Sequence, residues 1–79
     1  MKISVKLIAT YRKLLPEDAA GNTIEIEVAE GSRVEDVLRE FNVPLDRASV
    51  ILVNGRSPEA GQALEAGDLV VAFPALAGG

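Results

Sequence analysis

The chain has 79 residues, 48% of them apolar, a formal net charge of −4, and neither cysteine nor histidine. A chain of this length makes one domain with a barely sufficient core. The two missing residue types exclude disulfides, the usual zinc ligands, most nucleophile–base pairs and a neutral-pH proton shuttle. The eight basic residues are dispersed and no apolar run approaches a membrane span, which argues against nucleic acid and membrane as partners.

Residues 2–8 alternate, with Ile3, Val5 and Leu7 on one face and Lys2, Ser4 and Lys6 on the other, which reads as a half-buried strand. Residues 23–28 repeat the pattern, so the two are expected to pair as an antiparallel hairpin with Lys facing Glu on the outer surface. The connection between them, Ala9 to Asn22, is unusually long for a hairpin and therefore a candidate functional loop. Within it Tyr11, Leu14 and Leu15 suggest a short helical turn stopped by Pro16, and Gly21-Asn22 turns the chain back.

Ser32 with Glu35 three residues on predicts a capping box, and Val34, Val37, Leu38 and Phe41 form one helical stripe. Glu35 and Arg39 are spaced for an i,i+4 pair, and Pro44 closes the segment. If Phe41 is as buried as the stripe implies, its replacement by Ala costs roughly 3–5 kcal/mol.

The run Val50–Val53 predicts another strand, and Asn54-Gly55 is the strongest hairpin signal in the chain, with a short return strand near Arg56. Leu64 is the expected anchor of an irregular stretch. Gly67-Asp68 then turns into a last strand, Leu69 to Phe73, ended by Pro74. Both turns read as plain turn formation with no chemistry. This order predicts an α+β fold: a mixed sheet of four to five strands packed on one main helix, with a flexible C-terminal Gly-Gly tail. The body spans 1–73 and the tail 74–79. The first and last strands are expected to lie parallel at the centre, because a crossover containing the helix separates them. The apolar runs 50–53 and 69–73 favour central placement for both. A single helix covers one sheet face only, so some of Ile8, Val50, Leu52, Val71 and Phe73 should form an apolar partner surface on the other.

The ending Phe73-Pro74-Ala75-Leu76-Ala77-Gly78-Gly79 is the clearest functional feature. Glycine has no Cβ, so such an end passes through a narrow channel and presents one handle, the Gly79 carboxylate. From Pro74 to Gly79 it spans roughly 20 Å at ~3.3 Å per residue. Carboxylates, lysines, Tyr11 and hydroxyls form no tight catalytic cluster. The chain accordingly reads as a substrate or partner of enzymes, non-catalytic alone. Its N-terminus lacks an apolar signal core because Lys2, Ser4 and Lys6 interrupt it, so the expected location is cytoplasmic.

The element order with a terminal Gly-Gly resembles the ubiquitin-like β-grasp fold. Val53-Asn54-Gly55, Leu64-Glu65-Ala66-Gly67-Asp68 and the segment from Phe73 to Gly79 resemble, over the whole chain, the MoaD/ThiS family of sulfur carriers, most closely its MoaD branch. It departs from the pattern at Ile8-Ala9, where Phe-Ala is frequent, and at Pro74-Ala75, where two prolines are frequent. The resemblance implies that a MoeB-like adenylyltransferase uses ATP to adenylate Gly79, and that a sulfur donor protein converts it to a thiocarboxylate. It implies further that a MoaE-like large subunit receives the tail, in a heterotetrameric molybdopterin synthase serving molybdenum cofactor biosynthesis. No cofactor or metal is expected on the chain itself. In this reading Gly79 is the reactive residue, Gly78 and Ala77 permit passage, and Phe73, Pro74, Leu76, Ile8, Leu52 and Val71 bind the partner. Other acceptors (tRNA thiolation, cysteine or thiamin synthesis), lysine conjugation, and an interaction domain with an inert tail remain alternatives.

Overall fold

A computed structural model describes residues 1–75. The alternating segments become β1 (Lys2–Leu7) and β2 (Thr23–Glu27), the helical stripe becomes α1 (Val34–Glu40), and the later runs become β3 (Ser49–Val53) and β4 (Leu69–Pro74). Strand order is β2-β1-β4-β3, with β1 parallel to β4 at the centre and both outer pairings antiparallel. This is the expected mixed sheet with one helix, in its four-stranded form. The return strand near Arg56 amounts to one bridge with Val53, because Pro58 follows two residues later and cannot donate to a ladder.

Alternation puts Ile3, Val5 and Leu7 of β1, Val70 and Ala72 of β4 and Val53 of β3 on the inner face. There they meet Val34, Val37 and Leu38 of α1, with Val43 and Leu64 closing the core. Phe41 is only half-buried at the helix end. Truncating it should therefore cost less than a fully enclosed ring.

The helix begins one residue later than the Ser32–Glu35 spacing predicts. Its first turn is capped by Asp36, whose carboxylate accepts the Arg33 N–H at 3.0 Å, while the Ser32 hydroxyl donates to the Ala29 carbonyl at 2.6 Å. Tertiary pairing sets this start. Arg33 bridges Ala63, Leu64 N–H donates to Ser32 carbonyl at 2.8 Å, and Val34 N–H donates to Gln62 carbonyl at 3.1 Å. The strand-like pairing holds Arg33 extended and satisfies an otherwise orphaned helix donor. At the other end Asn42 takes φ +62°, Asn42 N–H reaches Arg39 carbonyl, and Val43 N–H reaches Leu38 carbonyl. That is a Schellman closure with its apolar contact between Leu38 and Val43.

Three expected pairings differ in detail. The apolar run of β3 sits at the sheet edge, not the centre; its two apolar faces serve the core and the outer patch. Lys2 stands opposite Glu27 in register, but Lys6 stands opposite Thr23, and the ion pair of Glu27 is with the Met1 amino group at 3.4 Å. Arg39 pairs with Asp36 at 3.6 Å instead of with Glu35. Both partners are well exposed, so the pair contributes little.

The two turns are more than turns. Asn54 and Gly55 both take positive φ, 53° and 84°, as a two-residue hairpin turn requires. The Asn54 amide donates to Asp68 Oδ1 at 2.9 Å and accepts Leu69 N–H at 2.9 Å, while Asp68 Oδ2 accepts Glu65 N–H at 2.8 Å. Asp68, only 8% exposed, thereby ties the β3 turn to the start of β4. Replacing Asn54 by Ala removes two bonds at about 1 kcal/mol each and exposes the remaining partners to imperfect satisfaction. A thermal melt should show a fall of roughly 10–20 °C for a domain of this size.

Candidate functional site

The chain leaves the sheet at Ala75, at a point built by three segments distant in sequence. Phe73 pairs with Val50 and Pro74 with Ser49, and Ala75 N–H donates to the Ala48 carbonyl at 2.8 Å. Pro74 is compatible with the ladder because strand alternation turns its nitrogen away from β3, on the side where β1 has already ended. Asp46 secures the receiving segment: its Oδ1 accepts Ala48 N–H at 2.8 Å and its carbonyl accepts Ser49 N–H at 3.2 Å. The third contributor is the β1–β2 connection, which forms a 3₁₀-helix over Ala9–Leu14. Tyr11 projects from it to Ser49 Oγ at 2.6 Å and lies 3.3 Å from Ala48 carbonyl oxygen.

The outer sheet face is graded. Residues 69, 71 and 73 alternate with buried Val70 and Ala72, so Leu69, Val71 and Phe73 point outward. Register places Val71 between Leu52 and Lys6, with Thr23 beyond Lys6. One step toward the exit, Phe73 lies beside Val50, and Ile8 follows Leu7 on the opposite flank, its N–H donating to Ala72 carbonyl. In the other direction the row is Leu69, Ser4 and Glu25. The apolar half of this face therefore lies at the end of the sheet from which the chain departs. Its members are half-buried by one another rather than fully exposed, and the largely exposed large apolar side chain among the described residues is Leu45, elsewhere.

Of the residues assigned from sequence, Ile8, Leu52, Val71 and Phe73 share this face, together with Val50. Pro74 alternates to the inner side opposite Ser49 and is half-buried. Leu76, Ala77, Gly78 and Gly79 lie outside the described residues. Sequence reasoning missed the contacts of Tyr11, Asp46, Ala48 and Ser49 at the exit; the available signal was the excess length of the 9–22 connection. Among the described residues no group of three or more acidic side chains is placed to hold a metal ion, and no helix is long and apolar enough to cross a membrane.

Comparison with known proteins agrees with this geometry. A family model described as Mut7-C ubiquitin matches residues 1–78. The chain belongs to the Mut7-C ubiquitin family. Within the wider MoaD/ThiS-like group of ubiquitin-like sulfur carriers, it is similar to a solved Pyrococcus furiosus protein described as a candidate molybdopterin converting factor, subunit 1. The two are 31% identical, with a TM-score of 0.74, over 95% of this chain and 98% of that one. SAMP1 from Haloferax volcanii superposes over the whole of both chains with a TM-score of 0.77 at 24% identity. A second Haloferax volcanii structure, small archaeal modifier protein 1, gives 0.74 at 22% over 95% of this chain and 98% of that one. The two Haloferax likenesses are of fold. No curated protein matches significantly. The Mut7-C ubiquitin chain thus has the β-grasp fold that its element order predicts.

Proposed function

We propose that this Mut7-C ubiquitin protein is a sulfur carrier whose Gly79 carboxylate is adenylated and converted to a thiocarboxylate, acting as the small subunit of a molybdopterin synthase. The observation that carries the reading is the coincidence, at one end of the sheet, of the exit at Ala75 and the apolar patch of Ile8, Val50, Val71 and Phe73. A partner seated on that patch lies within reach of a chain that ends in Gly78-Gly79.

The chemistry is supplied by others. A carboxylate is a poor acyl donor, since its oxygen is a poor leaving group. A MoeB-like adenylyltransferase attaches AMP from ATP to the Gly79 carboxylate, releasing pyrophosphate. A sulfur donor protein then attacks the acyl carbon and AMP leaves. If the attacking sulfur is a persulfide, a thiol reduces the resulting acyl disulfide to free the thiocarboxylate. With no cysteine in the chain, the sulfur has no other covalent resting place on it. A MoaE-like large subunit would receive the tail and supply the groups that pass sulfur to the pterin.

Incubation with the adenylyltransferase, ATP and a sulfur donor, followed by intact mass, tests the reading. Exchange of one terminal oxygen for sulfur supports it. A wild-type chain that is never adenylated removes it. Lysine-linked adducts in host cells, without thiocarboxylate, would instead favour a protein modifier, which uses the same terminal activation.

A further inference from the structure

We propose that Tyr11 is a positioning residue for the reaction at the chain end, bracing the exit at Ala75 through Ser49 and Ala48. Its chemical consequence rests on the carrier reading above; its geometry does not.

Gly79, the reacting residue of the carrier reading, stands four positions past Ala75, a reach of at most ~13 Å. For so short a tether the direction at its root governs where the end arrives. A swing of ~20° at the root displaces an extended end by roughly 4 Å, and displacements of ~1 Å can lower a reaction rate by about a hundred-fold. The root is lightly held. Pro74 has no N–H, and β1 has ended by Leu7. The Ala75 N–H bond to the Ala48 carbonyl is the last backbone bond found for β4 among the described residues.

Tyr11 acts on that bond. Two contacts, at 2.6 Å to Ser49 Oγ and 3.3 Å to Ala48 oxygen, are both satisfied when Ser49 donates to the phenol oxygen and the phenol donates to Ala48. The Ala48 carbonyl then accepts from Tyr11 and Ala75 together, one per lone pair. The Ser49 bond is the stronger by distance. The ring packs against the core with Leu14 and Leu15, so the hydroxyl is offered from a fixed base. The connection is bent to deliver it: Ala9 takes φ +57°, a left-handed conformation unfavourable for a residue with a Cβ, directly after β1. This gives the long 9–22 connection a purpose that a simple hairpin turn lacks.

The test uses Tyr11→Phe, which keeps the ring, and Ser49→Ala, which keeps the tyrosine. Amide hydrogen exchange is followed at Ala75, with the buried strand residue Val70 as the global reference. Exchange at Ala75 should accelerate about five-fold in Tyr11→Phe, as for loss of one neutral hydrogen bond, with Val70 unchanged. With a MoeB-like adenylyltransferase, kcat should fall by a similar factor while KM stays near wild type, because the docking face is untouched. Unchanged exchange at Ala75 overturns the proposal, and so does faster exchange with wild-type kcat. Should Tyr11→Phe also speed Val70 exchange, the same two readouts from Ser49→Ala decide. If the enzyme fails to adenylate even the wild-type chain, the carrier reading falls, while exchange at Ala75 still decides whether Tyr11 holds the exit.

Discussion

Deleting Gly78 and Gly79 is expected to abolish adenylation while leaving the thermal melt within about 2 °C of wild type, since terminal changes outside the core rarely alter stability. Among the described residues every member of the buried apolar core lies between Ile3 and Ala72, so the truncated chain should keep the packing that folds it. On the proposed carrier reading it loses the acyl carbon at the position the activating enzyme would have to reach. A milder version separates reach from passage. Gly78→Val keeps the length and the terminal carboxylate but adds a branched side chain where, on the proposed reading, a narrow channel admits backbone alone. Adenylation should then fall by about a hundred-fold, the order expected for misplacing a reacting group by ~1 Å. Pyrophosphate exchange, read beside the melt, checks both. Wild-type exchange by the truncated chain would show that the Gly-Gly end is not what the enzyme reads, and would remove Gly79 as the required reacting residue.

Placing a carboxylate in the proposed docking patch should have the second-largest effect. Val71 lies between Leu52 and Lys6 on the outer face, and Val71→Asp would bury an unmatched charge in any apolar interface formed there. The loss expected for an unpaired interfacial charge is about 2–5 kcal/mol, or roughly 30- to several-thousand-fold in affinity. The isolated protein should tolerate the change. The position is only half-buried and lies outside the buried core, and strand propensity spans only ~1 kcal/mol. Steady-state kinetics should therefore show a raised KM with kcat nearly intact, the reverse of the pattern expected for Tyr11→Phe. Glu25→Lys, at the polar end of the same face, is the control and should leave KM near wild type. Equal effects from Val71→Asp and Glu25→Lys would place the partner elsewhere on the surface.

Much of this was legible because it depends on near neighbours in the chain. Ile3, Val5 and Leu7 declare an inner face by their period alone, as do Val34, Val37 and Leu38, and each is buried. Asn54-Gly55 names its turn because the two residue types tolerate positive φ. The parity of β4 was not legible. Leu69 to Phe73 is apolar on both sides, so periodicity cannot say which side meets the helix. The core decides by burying Val70 and Ala72. The start of α1 was not legible for a related reason: Ser32 has good capping chemistry, but backbone pairing with residues 62–64 holds Arg33 extended at the cap position and passes the cap to Asp36.

The amino-acid order alone determined the element types, the helix-bearing crossover that sets the first and last strands parallel, the absence of thiol or imidazole chemistry and the Gly-Gly ending. Each follows from spacing, composition or chain connectivity, which any conformation carries. Tertiary structure alone decided that β3 occupies an edge, that the apolar half of the outer face adjoins the exit, and that Tyr11, Asp46, Ala48 and Ser49 converge where the chain departs. Those facts depend on strand register and on contacts between residues tens of positions apart, which pattern along the chain does not encode.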